Sequence, residues 1–385
     1  MVRTEIQIGI LFSRTGPYGT IAHSQLNGAM LACSEINADP KGAVSLIPEI
    51  RDPGGRLENY ASDVKSMLGK GIRHVCGCYT SSSRKEVIPL FEKHDALLWY
   101  PTHYEGFESA TNVIYTGAAP NHHMSPLIDY LCGRFGQRAY CVGSNYIWGW
   151  ESNRVMRDGL QRRGGTVLAE RYMAVGDTDL DAIVDEILEL RPDFVFNALI
   201  GVSSYTLFRT LRAACQARGI DQPREVPVAS CNLSEPELEE IGADSADGQI
   251  SSSVYFSSLQ SSCNAAFVAA YHAAYPEGPR VSAEAEAAYI AIHLMALAIA
   301  EAGSDEADAV REAVAGRSFE APQGCVTIDP LSFHASLTPR IAVSRKDFEF
   351  DILLDTGAPV EPDPYLVGSM TCAPRPARAN VRIVK

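Results

Sequence analysis

Short apolar runs and stretches with apolar residues at helical spacing alternate through most of this chain. Ile6 to Phe12 reads as a buried strand, and a helix from about Ile21 to Ile36 follows the turn Gly16-Pro17-Tyr18-Gly19. Leu57, Tyr60, Ala61, Val64, Met67 and Leu68 keep helical spacing and stop at Gly69 and Gly71. Ile72 to Cys78 and Ala96 to Trp99 read as strands flanking a helix from Arg84 to His94, with Ser83 and Glu86 as its capping box. A second series follows: strands Tyr140 to Gly143, Val167 to Met173, Phe194 to Leu199 and Val226 to Ser230, and helices Glu151 to Arg163, Leu180 to Leu188 and Tyr205 to Ala217. Such alternation predicts an α/β chain with mostly parallel sheets.

From Ile250 the pattern changes. A strand is predicted over Ser253 to Phe256, helices near Asn264 to Tyr275 and Ala283 to Ala302, and strands at Cys325 to Ile328, Ile341 to Val343 and Asp347 to Leu354. Thr371 to Lys385 carries Arg375, Arg378, Arg382 and Lys385 with no acidic residue, and reads as a loose tail.

Chemistry gathers where the predicted strands run out. Tyr79-Thr80-Ser81-Ser82-Ser83 follows one, and Tyr100-Pro101-Thr102-His103-Tyr104-Glu105-Gly106 follows the next. Parallel strands joined by a helix end at one edge of a sheet, where open α/β sheets bind ligands. Ser81 stands at a helix start, whose unpaired N–H groups suit a carbonyl oxygen. Thr102 can take an NH2 proton, and Tyr79, Tyr100 and Tyr146 offer flat walls with phenols. Singly, each reads as packing or a cap; their convergence at consecutive strand ends favours a small neutral polar ligand.

Composition narrows the classes. At 385 residues two domains are expected, and a net charge of −14 argues against nucleic acid as a partner. No run approaches about twenty uninterrupted apolar residues, so no membrane span is expected. The chain passes from Met1 straight into its first strand without a leader pattern, and ten cysteines are scattered through it. Both point to the cytoplasm; the alternative is a periplasmic protein whose leader has been replaced. Cys76 and Cys78, two apart on a strand, should share a face, and read as core thiols because nothing completes a four-ligand set. His122-His123 reads as a surface loop and Asp52-Pro53-Gly54-Gly55 as a turn, so no metal or cofactor is expected. No Gly-x-Ser-x-Gly, His-Glu-x-x-His or serine-lysine signature marks a hydrolase, which leaves an amide hydrolase as the weakest reading.

The run Gly77 to Lys85 and the run Tyr100 to Glu108 resemble the amide- and urea-binding branch of the type I periplasmic-binding-protein superfamily. Further marks are Tyr115 to Asn121, Gly143 to Tyr146, Ala321 to Gly324 and Pro362 to Tyr365. The resemblance implies two doubly wound lobes joined by three crossovers, with the ligand in the cleft between them. The first lobe would be 1–119 plus 253–326, the second 120–252 plus 327–370, and 371–385 the tail. Tyr79, Ser81, Tyr100, Thr102 and Tyr146 match the family's ligand contacts in type. His103 departs from it by replacing a proline, and Trp148 by replacing a tyrosine. Asn232 lies in a stretch lacking the family's threonines. All eight are the expected ligand-binding residues. Two functions are implied. The first is a cytoplasmic amide sensor that regulates amidase operons by holding an antiterminator protein. The alternative is the urea-binding protein of an ABC transporter, with its membrane subunits as partners. Homo-oligomerisation stays open.

Overall fold

The computed structural model describes residues 3–370, so the basic segment 371–385 lies outside the described residues. The chain forms two compact units. Of the described residues, the first takes 3–119 with 259–337 and 359–364; the second takes 120–258 with 338–358 and 365–370. The first boundary falls between Ala119 and Pro120. The later ones fall after Ser258, Leu337, Ala358 and Pro364, where the resemblance implies two, at about 252 and 326.

The first unit is built on a parallel five-stranded sheet: β1 (Thr4–Leu11), β2 (Val44–Arg51), β3 (His74–Gly77), β4 (Leu97–Tyr100) and β5 (Val113–Tyr115) in the order β2-β1-β3-β4-β5. The sequence pattern does not reveal β2. It is an edge strand, it contains Pro48, and several of its side chains are partly or fully exposed, so it lacks the apolar run of its neighbours. Helices α2 (Leu57–Gly69) and α3 (Ser81–His94) cover one face, burying Val64, Met67, Val87 and Phe91 against Leu11, Val75 and Leu98. Helix α1 (Gly19–Ala38) packs on the helix Ala283–Ala302. They approach so closely that a Cβ on Gly28 would lie 2.1 Å from the Ala285 carbonyl oxygen. By length and composition the Ala283–Ala302 helix could cross a membrane, but 72% of its apolar window is buried inside the protein. It is a core helix. Strands β11 (Ser318–Ala321), β12 (Gly324–Ile328) and β13 (Ala335–Ser336) add a small antiparallel sheet.

The second unit holds a seven-stranded sheet. Its parallel part comprises β6 (Arg138–Ser144), β7 (Thr166–Met173), β8 (Phe194–Ala198), β9 (Val228–Ser230) and β10 (Ile250–Ser253). Strands β14 (Arg340–Ser344) and β15 (Phe350–Asp355) extend it antiparallel beside β10. The strand expected over Ser253 to Phe256 therefore lies earlier. Three of the four residues of β10 are serines, which masks a buried strand. Ser251 donates to the Leu233 carbonyl at 2.6 Å and Ser252 to that of His123 at 2.8 Å, so burial leaves neither hydroxyl unpaired. His122 and His123 are not on a surface loop. Both are fully buried in the first turn of α4 (Pro120–Arg134), which packs on β10.

Candidate functional site

In the first unit, β3 and β4 run side by side and end where α3 and the Tyr100–Glu108 loop begin. Cys78 leaves β3 with φ of 68°, and this left-handed turn undoes the expected face-sharing with Cys76. Cys78 joins the core under α2 and α3 that also holds Val75; Cys76, fully buried, is not part of it. Burial pushes the Cys78 thiol up to about 12, which marks it as an inert core group.

Thr80, not Ser83, caps α3: its hydroxyl oxygen accepts from the Ser83 amide at 3.2 Å. Ser81 thereby becomes the first residue of the helix. Its hydroxyl donates to Oε2 of Glu105, whose Oε1 takes a proton from Arg84 at 3.0 Å. Arg84 is fully buried, with its guanidinium 4.7 Å from the centres of both the Tyr100 and Tyr104 rings. It also pairs with Glu108 at 2.8 Å, and Lys85 reaches the other Glu108 oxygen at 2.5 Å. Burial raises the Glu108 carboxyl, but the Arg84 and Lys85 charges and hydrogen bonds outweigh it and hold the group at about 2. Tyr100 was expected as a flat ligand wall. Instead its ring is fully buried edge-on to Tyr104 and Tyr115, and its hydroxyl donates to the Tyr79 carbonyl at 2.9 Å. The Tyr79 ring lies 5.2 Å from that of Tyr18.

Thr102 is held from both sides. Its hydroxyl donates to the Cys78 carbonyl at 3.2 Å and accepts from Nε2 of Gln25 at 2.9 Å. The next residue, His103, places Nδ1 3.0 Å from Oε1 of Glu284. Beneath both runs Gly117, where a Cβ would lie 2.1 Å from the Thr102 carbonyl oxygen, so only glycine lets the loop settle there. Two acceptors in this group, Oε1 of Gln25 and Oε2 of Glu284, are buried and have no hydrogen-bond partner.

The other expected residues belong to the second unit. Tyr146 precedes helix α5 (Ile147–Gln161) in extended backbone at the end of β6. Trp148, in the first turn, is buried with its ring 5.9 Å from His123. Gly149 lets that turn lie against β6, because a Cβ there would be 2.2 Å from the Ser144 carbonyl oxygen. Asn232, after β9, donates to the Leu199 carbonyl at 2.9 Å and accepts from the Ser230 hydroxyl at 2.6 Å, bracing adjoining strand ends. No group of three or more His, Cys, Asp or Glu among the described residues could hold a metal ion.

A family description, periplasmic binding protein domain, matches residues 6–371. The chain belongs to the periplasmic binding protein family. Proteins of this family bind solutes rather than transform them. This periplasmic binding protein is 25% identical over 338 residues to the Leu/Ile/Val-binding protein BraC3 of Rhizobium johnstonii, covering 85% of the chain and 88% of that relative. It is 23% identical over 336 residues to the leucine-, isoleucine-, valine-, threonine- and alanine-binding protein of Pseudomonas aeruginosa, covering 86% and 87%. Among solved structures it resembles an ABC-transporter solute-binding protein of Rhodopseudomonas palustris HaA2 in complex with p-hydroxybenzoic acid. The TM-score is 0.82 at 18% identity, over 95% of this chain and 100% of that one. The isoleucine complex of LivJ from Streptococcus pneumoniae gives 0.80 at 18% identity, over 93% and 100%. The two-lobed α/β fold with parallel-sheet lobes is thereby established for this periplasmic binding protein.

Sequence reasoning missed Tyr18, Gln25, Glu105 and Glu284 as members of the group. Gln25 and Glu284 interrupt helices that are otherwise largely apolar on their buried faces, which is the one signal the chain carries for them. Nothing local marks Glu105 as the partner of both Ser81 and Arg84, since that pairing exists only once the loop has folded back.

Proposed function

We propose that this protein is a solute receptor of the ABC-transporter kind that binds a small ligand rich in N–H donors, of the amide or urea class. The carrying observation is the balance of free hydrogen-bonding groups at the strand ends of the first unit. The Ser81 proton is committed to Glu105, so that hydroxyl meets a ligand with lone pairs only. Gln25 and Glu284 each leave a buried acceptor open. The buried cation Arg84 is matched by Glu105 and Glu108. Such a surface favours NH2 groups over a carboxylate, since an unmatched buried acceptor costs about 1–3 kcal/mol. The α3 amides at Ser81 and Ser82 are the natural donors for the ligand's carbonyl oxygen. Tyr79, Ser81, Thr102 and His103 are the contacts this reading assigns in the first unit. Tyr100 supports them from the core.

The ABC-transporter name of the Rhodopseudomonas palustris neighbour supports transport, which would make membrane subunits the partners, and the family's description supports the periplasm as compartment. The second reading, a cytoplasmic sensor that hands its state to a regulatory protein, is favoured by the nine cysteines among the described residues, all free and six of them buried, which suit a reducing compartment.

Calorimetric titration of the purified protein with acetamide, urea, isoleucine and p-hydroxybenzoate tests the ligand class. Saturable one-site binding of acetamide or urea, without ammonia release, is expected. Binding of isoleucine or p-hydroxybenzoate with silence toward both amides overturns the class.

A further inference from the structure

Glu284 and Glu286 are both buried carboxylates in the first turn of the Ala283–Ala302 helix, yet they differ in one respect. Both oxygens of Glu286 are filled by Gln323, through its backbone amide at 3.1 Å and its Nε2 at 2.8 Å. Glu284 has one oxygen on His103 and the other without a donor. Nδ1 of His103 can serve only one of the two oxygens. Gln25 repeats the pattern, with Nε2 used on Thr102 and Oε1 open.

The two residues that carry these open acceptors are tied to neighbouring positions. Thr102 and His103 are consecutive, and one anchors Gln25 while the other anchors Glu284. Next to Gln25, Ser24 bonds at 3.1 Å to Ser282, the residue that caps the helix carrying Glu284. Close contact of Gly28 with Ala285 fixes the two helices at that spacing. A pair of rigid, buried, donor-hungry oxygens is costly to keep in a fold unless something supplies the donors.

Resting on the reading that the first unit's strand ends hold an amide-like ligand, we propose that Gln25 and Glu284 form a subsite for a second nitrogen on that ligand. The group would carry at least two N–H donors, as the second NH2 of urea or the ammonium of an amino amide does. A simple aliphatic amide would place a methyl or methylene against these oxygens and leave them unpaired.

The test compares ligands of matched shape: urea against acetamide, and glycinamide against propionamide, titrated calorimetrically into wild type, E284M and Q25M. Wild type is expected to favour the nitrogen-bearing member of at least one pair by about tenfold, the worth of one satisfied buried acceptor. In both variants that ratio should fall toward one, whatever happens to overall affinity, and Q25M serves alone if E284M does not fold. Equal binding of both members of each pair by wild type overturns the inference and leaves the amide reading standing. So does a preference that survives in the variants, which would make the open oxygens mere water sites. Binding of none of the four ligands overturns both.

Discussion

Arg84 carries its charge in the core, and its surroundings explain how. Glu105 and Glu108 supply the counter-charge, and the Tyr100 and Tyr104 faces take the flat sides of the guanidinium. Removing the cation would strand the buried Glu105 carboxylate and leave the part-buried Glu108 to the Lys85 charge alone, so R84M should lose about 3–5 kcal/mol in urea denaturation at pH 7. The sign of its pH dependence follows from Glu108. That carboxyl sits at about 2 in the fold against 4.5 ordinarily, so its contribution is present above pH 4.5 and is lost as pH falls toward 2. The gap between wild type and R84M should therefore narrow between pH 5 and pH 3; a constant gap would mean that Arg84 acts through packing alone. Thr102 gives a second expectation at this scale. T102A deletes the partner of Gln25 Nε2 and should cost about 1–3 kcal/mol as well as ligand affinity, read by thermal unfolding and titration on one sample.

Elements in this protein are positioned by close approaches that tolerate no side chain. Gly28 sets the distance between α1 and the Ala283–Ala302 helix, and Gly117 sets the height of the Thr102–His103 loop. G28A should force the two helices apart and cost about 1–3 kcal/mol, the usual range for overpacking. G117A should instead strike the ligand, because a Cβ there would lie 2.1 Å from the Thr102 carbonyl oxygen and 2.7 Å from the His103 nitrogen. A folded G117A with unchanged ligand affinity would show that the loop's height does not matter to binding. Element boundaries also show which signals a sequence carries. The helix Leu57–Gly69 was legible from its periodicity and glycine stop. Strand β2 was hidden by its edge position and β10 by its serines, whose burial depends on hydrogen bonds to other parts of the chain.

Across the whole molecule, acidic residues outnumber basic ones, with 47 Asp and Glu against 33 Lys and Arg. Most of this excess costs little where it is solvated, but Glu235 is buried at the start of its helix. Burial pushes its carboxyl up to about 7, against the opposing hydrogen bonds from Ser257. A raised folded value means that its stabilising contribution is complete below the ordinary 4.5 and is lost as pH rises through 7. Wild type should thus lose stability from pH 5 to pH 8 by about 1–3 kcal/mol more than E235Q does, as measured by thermal unfolding at both values. Parallel curves for the two proteins would place the titration elsewhere.

The alternation of apolar runs and helical spacing, which burial of one face imposes locally, was enough to specify an α/β chain of parallel sheets. The polar-aromatic runs after β3 and β4 marked one sheet edge, because strand direction alone dictates where parallel strands end. Which atoms at that edge remain free was decided only in three dimensions. Ser81 gives its proton to a residue 24 positions away, Thr102 takes one from a residue 77 positions away, and Tyr100 turns into the core. Hydrogen-bond valence is spent across the fold, so residue type in the sequence states what a group can do, and tertiary contacts settle what it has left to offer a ligand.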